Sequence, residues 1–426
     1  MSQTATPQAA PPPPAAAPAP APAQATAVQP APGLVDTPAL LNRWQLIGMS
    51  VAILFGILSA LMQFLGWQSD GRAADDTEQL VRVQEIQSSL LRADALATNA
   101  FLVGGLEDPD QRKEYDDAIA SVLRNITDAA DAQPADRAVL ADLNVQVANY
   151  ATAVAQARDN NRQGFPVGAE YLGGASSALR GEALPILDAL VKANTDRAEG
   201  AMAGQHPFWL FVLGILALVA LVWLNRQLAQ HFRRRINKGL AIAAVIVLVV
   251  TVVTAFAALL RDNSNDSLRG GDLAVAIDQA DARTAANDSK AIESLRLIKR
   301  GSGPAFEAQW GESAKSVEAS LRRDTGESWT DYKAVHQKIV ELDDSGDWAA
   351  ARDLATTPDT EGSSAALDRF DSASKEIVAT AGENVTDDLR SGRTLALILS
   401  GVTLLLGVLA AAAVTRGIGE RRREFS

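Results

Sequence analysis

Four long apolar stretches limit what this chain can fold into more than any other feature of its sequence. They are Leu46 to Leu65, Phe208 to Leu224, Gly239 to Leu260 and Thr394 to Thr415, and none contains Asp, Glu, Lys, Arg or His. About 20 apolar residues in a helix cross a hydrocarbon core of roughly 30 Å. A buried helix of a soluble domain usually carries polar interruptions, so the pattern predicts four transmembrane helices and excludes a single soluble domain.

Tryptophan residues flank two of these stretches. Trp44 and Trp67 bracket the first, and Trp209 and Trp223 lie at the ends of the second. Because indole rings prefer the interface between membrane and water, we expect all four rings to lie there.

Basic residues gather in the short connections between the stretches. The connection between the second and third stretches carries Arg226, Arg233, Arg234, Arg235 and Lys238 without an acidic residue, and the tail carries Arg416, Arg421, Arg422 and Arg423 against Glu420 and Glu424. Cytoplasmic loops carry an excess of Lys and Arg. We therefore expect a multi-pass protein of the cell membrane, with both termini in the cytoplasm. The first interspan segment (67–206) and the second interspan segment (261–393) are then outside, with net charges of −10 and −9 against +7 for the rest of the chain.

The order of these features predicts the domain organisation. The chain opens with Pro, Ala, Gln and Thr and almost no charge, a composition that cannot bury a core and favours a disordered arm. The predicted parts are the cytoplasmic arm (1–42), the first transmembrane helix (43–66), the first outer bundle (67–206), the second transmembrane helix (207–224), the basic loop (225–238), the third transmembrane helix (239–260), the second outer bundle (261–393), the fourth transmembrane helix (394–415) and the basic tail (416–426).

The two halves of the chain repeat one plan. An offset of 182 residues aligns Tyr150, Gly164 and Leu172 with Tyr332, Gly346 and Leu354, and a Ser-Ser-Ala sequence follows at Ser176 and at Ser363. The identities are few, so the order of the elements supports a tandem duplication more than the matched residues do.

Both interspan segments have the periodicity of amphipathic helices. Apolar residues step by three and four from Leu140 to Val154 and from Trp329 to Leu342, and a similar stripe from Leu80 to Ala97 suits a helix continuous with the first span. Breaks are expected at Gly104-Gly105 with Pro109, at Gln133-Pro134, at Gly164-Phe165-Pro166, at Gly301 to Pro304, at Asp324 to Gly326 and at Ser345-Gly346. Three breaks in each segment predict an all-α protein with two extracytoplasmic antiparallel four-helix bundles.

The residues that most enzymes and metal proteins need are missing or scattered. The chain has no Cys, and His206, His231 and His336 lie in different regions. It has no Gly-rich phosphate loop, nucleophile elbow or zinc-helix motif. The formal net charge of −12 argues against nucleic acid as a partner. We therefore predict no catalytic residue, no metal, no cofactor and a function other than that of an enzyme.

The layout resembles the four-helix-bundle sensor modules of bacterial chemoreceptors and histidine kinases. Gly346-Asp347-Trp348, followed by three alanines, is similar to the turn before the last helix of that module. Only 11 residues follow the fourth stretch, so we expect the output to be carried by a separate protein.

A closer resemblance covers nearly the whole chain. The stretches Leu91 to Gly105 and Asn160 to Gly164, together with the duplicated four-span layout, resemble an actinobacterial membrane protein family. That family works with a glutamine/glutamate-binding lipoprotein and a soluble Ser/Thr protein kinase. The resemblance implies that a solute-binding lipoprotein docks outside and that a signal reaches the kinase directly or through an adaptor. The implied function is to relay the availability of glutamate, aspartate or glutamine, with no catalytic residue in this chain.

Two sets of arginines are the candidate contacts. We hypothesise that Arg233, Arg234 and Arg235 of the loop and Arg421, Arg422 and Arg423 of the tail contact an acidic face of the kinase or adaptor. Arg82, Arg92 and Arg296 are weak candidates for direct binding of an amino acid, because carboxylate ligands favour Arg. Solvated arginines on helix faces are far commoner.

Other functions and contacts stay open at this point. The chain is alternatively a membrane subunit or accessory protein of an amino-acid transporter, although its spans offer hydroxyls and amides where carriers normally have ionisable residues. A passive membrane scaffold is the third alternative. Membrane lipids and further copies of the chain are the remaining expected contacts, since the alanine-rich stripes leave modest surface to bury.

Overall fold

The computed structural model describes residues 37–103, 109–164, 166–232, 237–357 and 361–422. Over these ranges the protein is all-helical and has no strand, as predicted. The helices are α1 (Thr37–Val103), α2 (Pro109–Ala132), α3 (Arg137–Arg162), α4 (Val167–Ala178), α5 (Leu184–Met202), α6 (Pro207–Phe232), α7 (Lys238–Leu268), α8 (Ala274–Ile298), α9 (Gly303–Ala319), α10 (Arg323–Asp344), α11 (Trp348–Thr356) and α12 (Ser363–Arg422).

Two helices run without interruption from an apolar stretch into an interspan segment. Helix α1 has 67 residues and α12 has 60. The prediction that the first helix continues out of the first span is therefore confirmed. Elsewhere the continuity is less regular, because a π-helical turn at Arg269–Leu273 joins α7 to α8 with a kink at Gly271, and a short turn precedes α6 at Pro207.

Helix ends follow local chemistry. Gly164, Gly301 and Gly346 adopt positive φ values of 71°, 87° and 88°, which an L side chain rarely adopts, and each lies in a turn between helices. Asn237 caps α7 by accepting hydrogen bonds from the backbone N–H groups of Gly239 and Leu240. The two glycines aligned by the offset of 182 residues, Gly164 and Gly346, thus occupy the same kind of turn in the two halves.

The second interspan segment departs from the expected helix boundaries. The predicted break at Asp324 to Gly326 is wrong, because α9 ends at Ala319 and these residues form the first turn of α10. The prediction of four helices is also wrong for this segment, since the short α11 ends at Thr356 and α12 begins only at Ser363. Asp347 caps α11 through the backbone N–H of Ala350, so this turn stabilises an additional helix.

Within the described ranges, four helices are long and apolar enough to cross a membrane, which is typical of a multi-pass membrane protein. Large apolar side chains that lie exposed are concentrated in these stretches, as with Leu216 and Leu405 at 61% and 66% exposure. In lipid, such side chains face an apolar solvent and carry no hydrophobic penalty. The Trp44 ring is buried in the core between the apolar helices, whereas Trp209 and Trp223 are about half exposed. The position of the four rings at a membrane interface stays a prediction.

Small residues let α1 and α12 approach closely within the apolar stretches. A Cβ atom placed on Gly56 would lie 2.8 Å from the Cα of Gly407. Nearby, Gln63 donates to the hydroxyl of Thr403 at 3.1 Å, and Ser400 donates to the carbonyl of Ala60 at 2.9 Å. Van der Waals contact and interhelical hydrogen bonds are the forces that associate helices in lipid, so this crossing is a primary contact of the fold.

Each interspan segment has an apolar core. In the first, α1 to α5 surround a cluster that includes Leu90, Val122 and Leu143. In the second, α8, α9, α10 and α12 surround an aromatic cluster with Trp329, Tyr332 and Phe370 fully buried. A further cluster combines α1 and α5 with α12 and the turn before α8. The two interspan segments therefore pack against each other.

Replacement of Gly407 by Leu tests the close crossing of α1 and α12. The added side chain has no space against Gly56, so the variant should lose about 1–3 kcal/mol of stability. The matched control is Gly401→Leu on the same helix, because a Cβ at Gly401 meets nothing within 4 Å. Thermal unfolding in detergent gives the comparison, and equal midpoints for the two variants would contradict the crossing.

Candidate functional site

A fully buried carboxylate lies at the centre of the first interspan segment. Asp94, on α1, is 0% exposed. Its carboxylate accepts hydrogen bonds from the hydroxyl of Tyr150 at 3.1 Å and that of Ser176 at 2.6 Å, and it forms an ion pair with Arg180 at 2.9 Å. Burial and the Asp94 charge raise the pKa of Tyr150 well above its usual range, so this hydroxyl stays a hydrogen-bond donor.

The second interspan segment buries a carboxylate in a related way. Glu293, on α8, is 1% exposed and accepts hydrogen bonds from Lys290 and from Ser363, each at 2.7 Å. The Nδ1 atom of His336 lies 2.9 Å from the other Glu293 oxygen. The His336 ring stacks on Trp310, with centroids 3.8 Å apart and planes 5° from parallel.

The two centres contain residue types that recur in the two halves of the chain. Ser176 and Ser363, each the first residue of a Ser-Ser-Ala sequence, both donate to the buried carboxylate of their own segment. Tyr150 and Tyr332, which the offset of 182 residues aligns, are both buried in α3 and α10. A buried charge persists only where partners compensate the loss of water. Each half therefore keeps a buried carboxylate with compensating partners at its centre.

Electrostatics fix the charge states at the second centre. Burial would raise the pKa of Glu293, but Lys290 and His336 outweigh it and lower this pKa to about 2. Burial likewise would lower the pKa of His336, but its contacts with Glu293 and with Glu307, 3.3 Å from Nε2, raise it above 6.5. The two carboxylates thus favour the charged form of the imidazole.

The pH dependence of stability tests this assignment. The Glu293 contribution is present above its unfolded pKa of 4.5 and is lost as the pH falls toward 2, whereas the His336 contribution is complete below 6.5 and is lost as the pH rises through the raised pKa. His336→Gln should cost about 3–5 kcal/mol at mildly acidic pH, because a buried carboxylate then loses a charged partner.

Thermal unfolding of the native chain and of His336→Gln across a pH series measures this effect. The difference between the two midpoints should be largest below pH 6.5 and shrink at alkaline pH, where the native imidazole is also neutral. A difference that is independent of pH would contradict a charged His336.

Arg180 connects the first centre to the second interspan segment. It lies in a π-helical turn, Leu179–Ala183, between α4 and α5. Its guanidinium contacts Asp94 on one side and Asp288 of α8 on the other, at 2.9 and 2.7 Å. Asp288 in turn accepts a hydrogen bond from Ser313 of α9 at 2.6 Å. Because π-helical turns inside α-helices are frequent at functional sites, this bridge is a candidate for communication between the segments.

Other ion pairs cross the same interface. Arg283 of α8 contacts both Glu85 of α1 and Asp371 of α12. Ser88 and Thr284 share a hydrogen bond of 2.8 Å between α1 and α8. The contact between the interspan segments thus combines these polar groups with the apolar cluster that α1 and α5 share with α12.

A third polar cluster lies where the helices leave the apolar stretches. Asp70 of α1 is 0% exposed and accepts from Arg261, Asn265 and Gln205, at 2.9, 3.1 and 3.1 Å. Arg261 also contacts Asp388 of α12 at 3.1 Å. This junction cluster ties α1, α7 and α12 together beside the start of α6.

Removal of the Arg180 guanidinium should lower the stability of the protein, because Arg180 compensates the buried charge of Asp94. Arg180→Gln leaves Asp94 buried without its cation, which should cost about 2–4 kcal/mol. Arg162→Gln is the control, since the Arg162–Asp159 pair is exposed and should contribute less than about 1 kcal/mol. Chemical or thermal unfolding gives both values, and equal losses would contradict the role of the bridge.

The structure gives different surroundings to the three arginines proposed for ligand binding. Arg92 pairs with Asp368 at 2.5 Å. Arg296 is 3% exposed and pairs with Asp343, Asp344 and Glu307, so all its charge is used within the chain. Arg82 donates one hydrogen bond to Gln79 at 2.9 Å and has no ion pair with any residue that the structure describes. The three are not brought together into one site.

The basic clusters proposed for partner contact fall largely beyond what the structure covers. Arg233, Arg234, Arg235 and Arg423 lie outside the described residues. Arg421 and Arg422 belong to the last turn of α12, and the structure describes only their backbone. Their role as contacts stays a prediction. Across the described ranges there is no group of His, Asp and Glu arranged to hold a metal ion.

Sequence reasoning missed Asp94, Glu293 and Arg180. Asp94 lies next to the apolar stripe from Leu80 to Ala97 in the sequence. From the spacing alone, a charged residue at this position is predicted to be exposed to solvent. The one available signal was the repeated Ser-Ser-Ala, whose first serine contacts each buried carboxylate.

Comparison with known proteins gives one match. Residues 69–203 match the family model described as an actinobacterial sensor domain. The match covers nearly all of the first interspan segment, including Asp94 and Arg180, and does not extend into the second. No curated protein and no solved structure matches the chain. The matched segment points to a sensing or signalling role.

Proposed function

We propose that this chain is a membrane signalling protein that relays the availability of an extracellular amino acid to a cytoplasmic Ser/Thr kinase. On this proposal a solute-binding lipoprotein carries glutamate, aspartate or glutamine to the outer face. The chain itself catalyses nothing, since the signal is a change in the relative positions of its helices. The kinase is engaged directly or through an adaptor.

The charge distribution supports the topology that this function needs. Both interspan segments are acidic, and the short connections between the apolar stretches are basic. On the positive-inside rule, the interspan segments are extracytoplasmic helical bundles, and both termini are cytoplasmic. The match to a sensor domain falls in one of the two segments proposed to face outward.

The observation that carries the proposal is the continuity of α1 and α12. Each runs unbroken from the polar contacts between the interspan segments into an apolar stretch. The two helices contact each other at the Gly56–Gly407 crossing and through the junction cluster around Asp70. A small axial or rotational shift of one helix against the other can therefore cross a bilayer without unfolding.

A lipoprotein can drive that shift only if it binds one arrangement better than the other. The ion pairs between the segments suit two discrete arrangements, because pairs such as Arg180–Asp288 either form or break. Apolar cores on each side keep each segment intact while the interface changes.

A pull-down from native membranes tests the relay. The full-length chain is crosslinked with and without glutamate, aspartate or glutamine, and the captured proteins are identified. We expect a solute-binding protein whose capture depends on the amino acid, together with a kinase or its adaptor. Capture of permease subunits would favour the transporter alternative, and capture that ignores the amino acid would contradict the relay.

Charge reversal of the basic tail distinguishes the proposed cytoplasmic contact from the proposed outer contact. Replacement of Arg421, Arg422 and Arg423 by Glu should abolish kinase or adaptor recruitment while capture of the solute-binding protein persists. Substitution of the same positions by Lys keeps the charge and serves as the control. Unchanged recruitment in the Glu variant would contradict this contact.

A further inference from the structure

A groove between the two interspan segments contains one basic and one acidic side chain that have no ion pair among the described residues. It has a volume of about 460 Å³ and is lined by residues of α1, α2 and α12. The walls on α1 and α2 belong to the segment that matches a sensor domain, and the wall on α12 belongs to the helix that continues into the fourth apolar stretch. A molecule in this groove therefore contacts both halves of the chain at once.

Most ionic groups at the groove are already paired. Glu85 contacts Lys375 at 3.0 Å and also Arg283. Glu78 contacts Arg390 at 2.8 Å. Because these charges are compensated within the chain, they do not favour binding of a charged ligand.

Two charged groups at the groove, one basic and one acidic, are not paired in this way. Arg82 is half-buried, and within the described ranges its guanidinium makes only the hydrogen bond to Gln79. The carboxylate of Glu383, across the groove on α12, is exposed and has no hydrogen bond or ion pair with the residues that the structure describes. A half-buried guanidinium with unused donors favours a carboxylate, and an unpaired carboxylate favours an ammonium group.

Neutral side chains complete the lining. Ser121 and Asn125 of α2 are half-buried at the groove and have no hydrogen-bond partner among the described residues. Val81 and Gly382 form an apolar floor, where a Cβ on Gly382 would lie 3.0 Å from the Val81 side chain. The groove thus combines a cationic pole, an anionic pole, spare hydrogen-bonding groups and a small apolar surface.

We propose that this groove binds a small zwitterion with the chemistry of a free α-amino acid. Arg82 holds its carboxylate, Glu383 holds its ammonium group, and Ser121 and Asn125 contact its side chain. This inference rests on the proposed sensing function and assigns a ligand site to the chain itself, separate from any carried by a lipoprotein. A bound zwitterion joins α1 to α12 and favours the arrangement in which these helices are closest.

Binding to the purified full-length chain in nanodiscs tests the site, with calorimetry as the readout and no partner protein present. The probes are the standard L-amino acids, one at a time, followed by two analogues of the best binder that lack either the amino or the carboxyl group. We expect at least one amino acid to bind, and each analogue to bind at least about 10-fold more weakly.

Matched variants locate the binding. Arg82→Gln and Glu383→Gln should each weaken binding by at least about 10-fold, and Arg82→Lys should restore part of the affinity because it keeps the charge. Arg323→Gln and Glu376→Gln make the same changes at exposed positions and should bind as the native chain does. Unchanged unfolding midpoints show that the variants fold.

Three results would overturn the assignment. They are no binding by any amino acid, equal binding of an analogue that lacks one charge, and binding that both groove variants leave intact. Failure here leaves the relay from a lipoprotein standing, because this experiment contains no partner. Failure of the pull-down conversely leaves direct binding standing, so the two proposals are tested separately.

Discussion

The pairing of α1 with α12 is the constraint on which the rest of the structure depends. Within the apolar stretches the helices meet at Gly56 and Gly407, where neither position has space for a side chain. Farther along, the same two helices share the cluster around Asp70 and Arg261, and then the Arg92–Asp368 pair. Because each helix is unbroken over this distance, its position at one end fixes its position at the other. The remaining helices pack around this pair, so their positions depend on it.

Buried charge gives the interspan segments a defined arrangement at an energetic cost. Replacing buried ion pairs by apolar side chains is often neutral or stabilising, so Asp94 and Glu293 are weak evidence for stability. Their geometric demands are strict, since each needs every partner in place. Arg180 also contacts Asp288 across the interface, so the position of one segment depends on the position of the other.

Much of the architecture follows from the sequence, and the parts that do not have physical reasons. Apolar stretches without charge predict helices long enough to cross a membrane, and glycines such as Gly164 and Gly346 mark turns because they adopt positive φ. The partners of Asp94 are 56 to 86 residues away along the chain, which no local pattern reveals. The burial of Trp44 depends on packing against neighbouring helices, which its position in the sequence does not reveal. The charge balance of the groove at Arg82 also depends on long-range contacts, so spacing could not separate Arg82 from Arg92 and Arg296.

The most direct test of the account is a pair of distance measurements between α1 and α12 by electron spin resonance. The chain has no cysteine, so labels can be placed on cysteines introduced at Arg72 and Ser391, and in a second sample at Leu46 and Arg416. Both distances are measured in nanodiscs for the otherwise native chain and for Arg180→Gln, which breaks the bridge between the interspan segments. The account predicts that the variant changes both distance distributions together. A change at the first pair with an unaltered second pair would show that the two helices do not carry a displacement along their length.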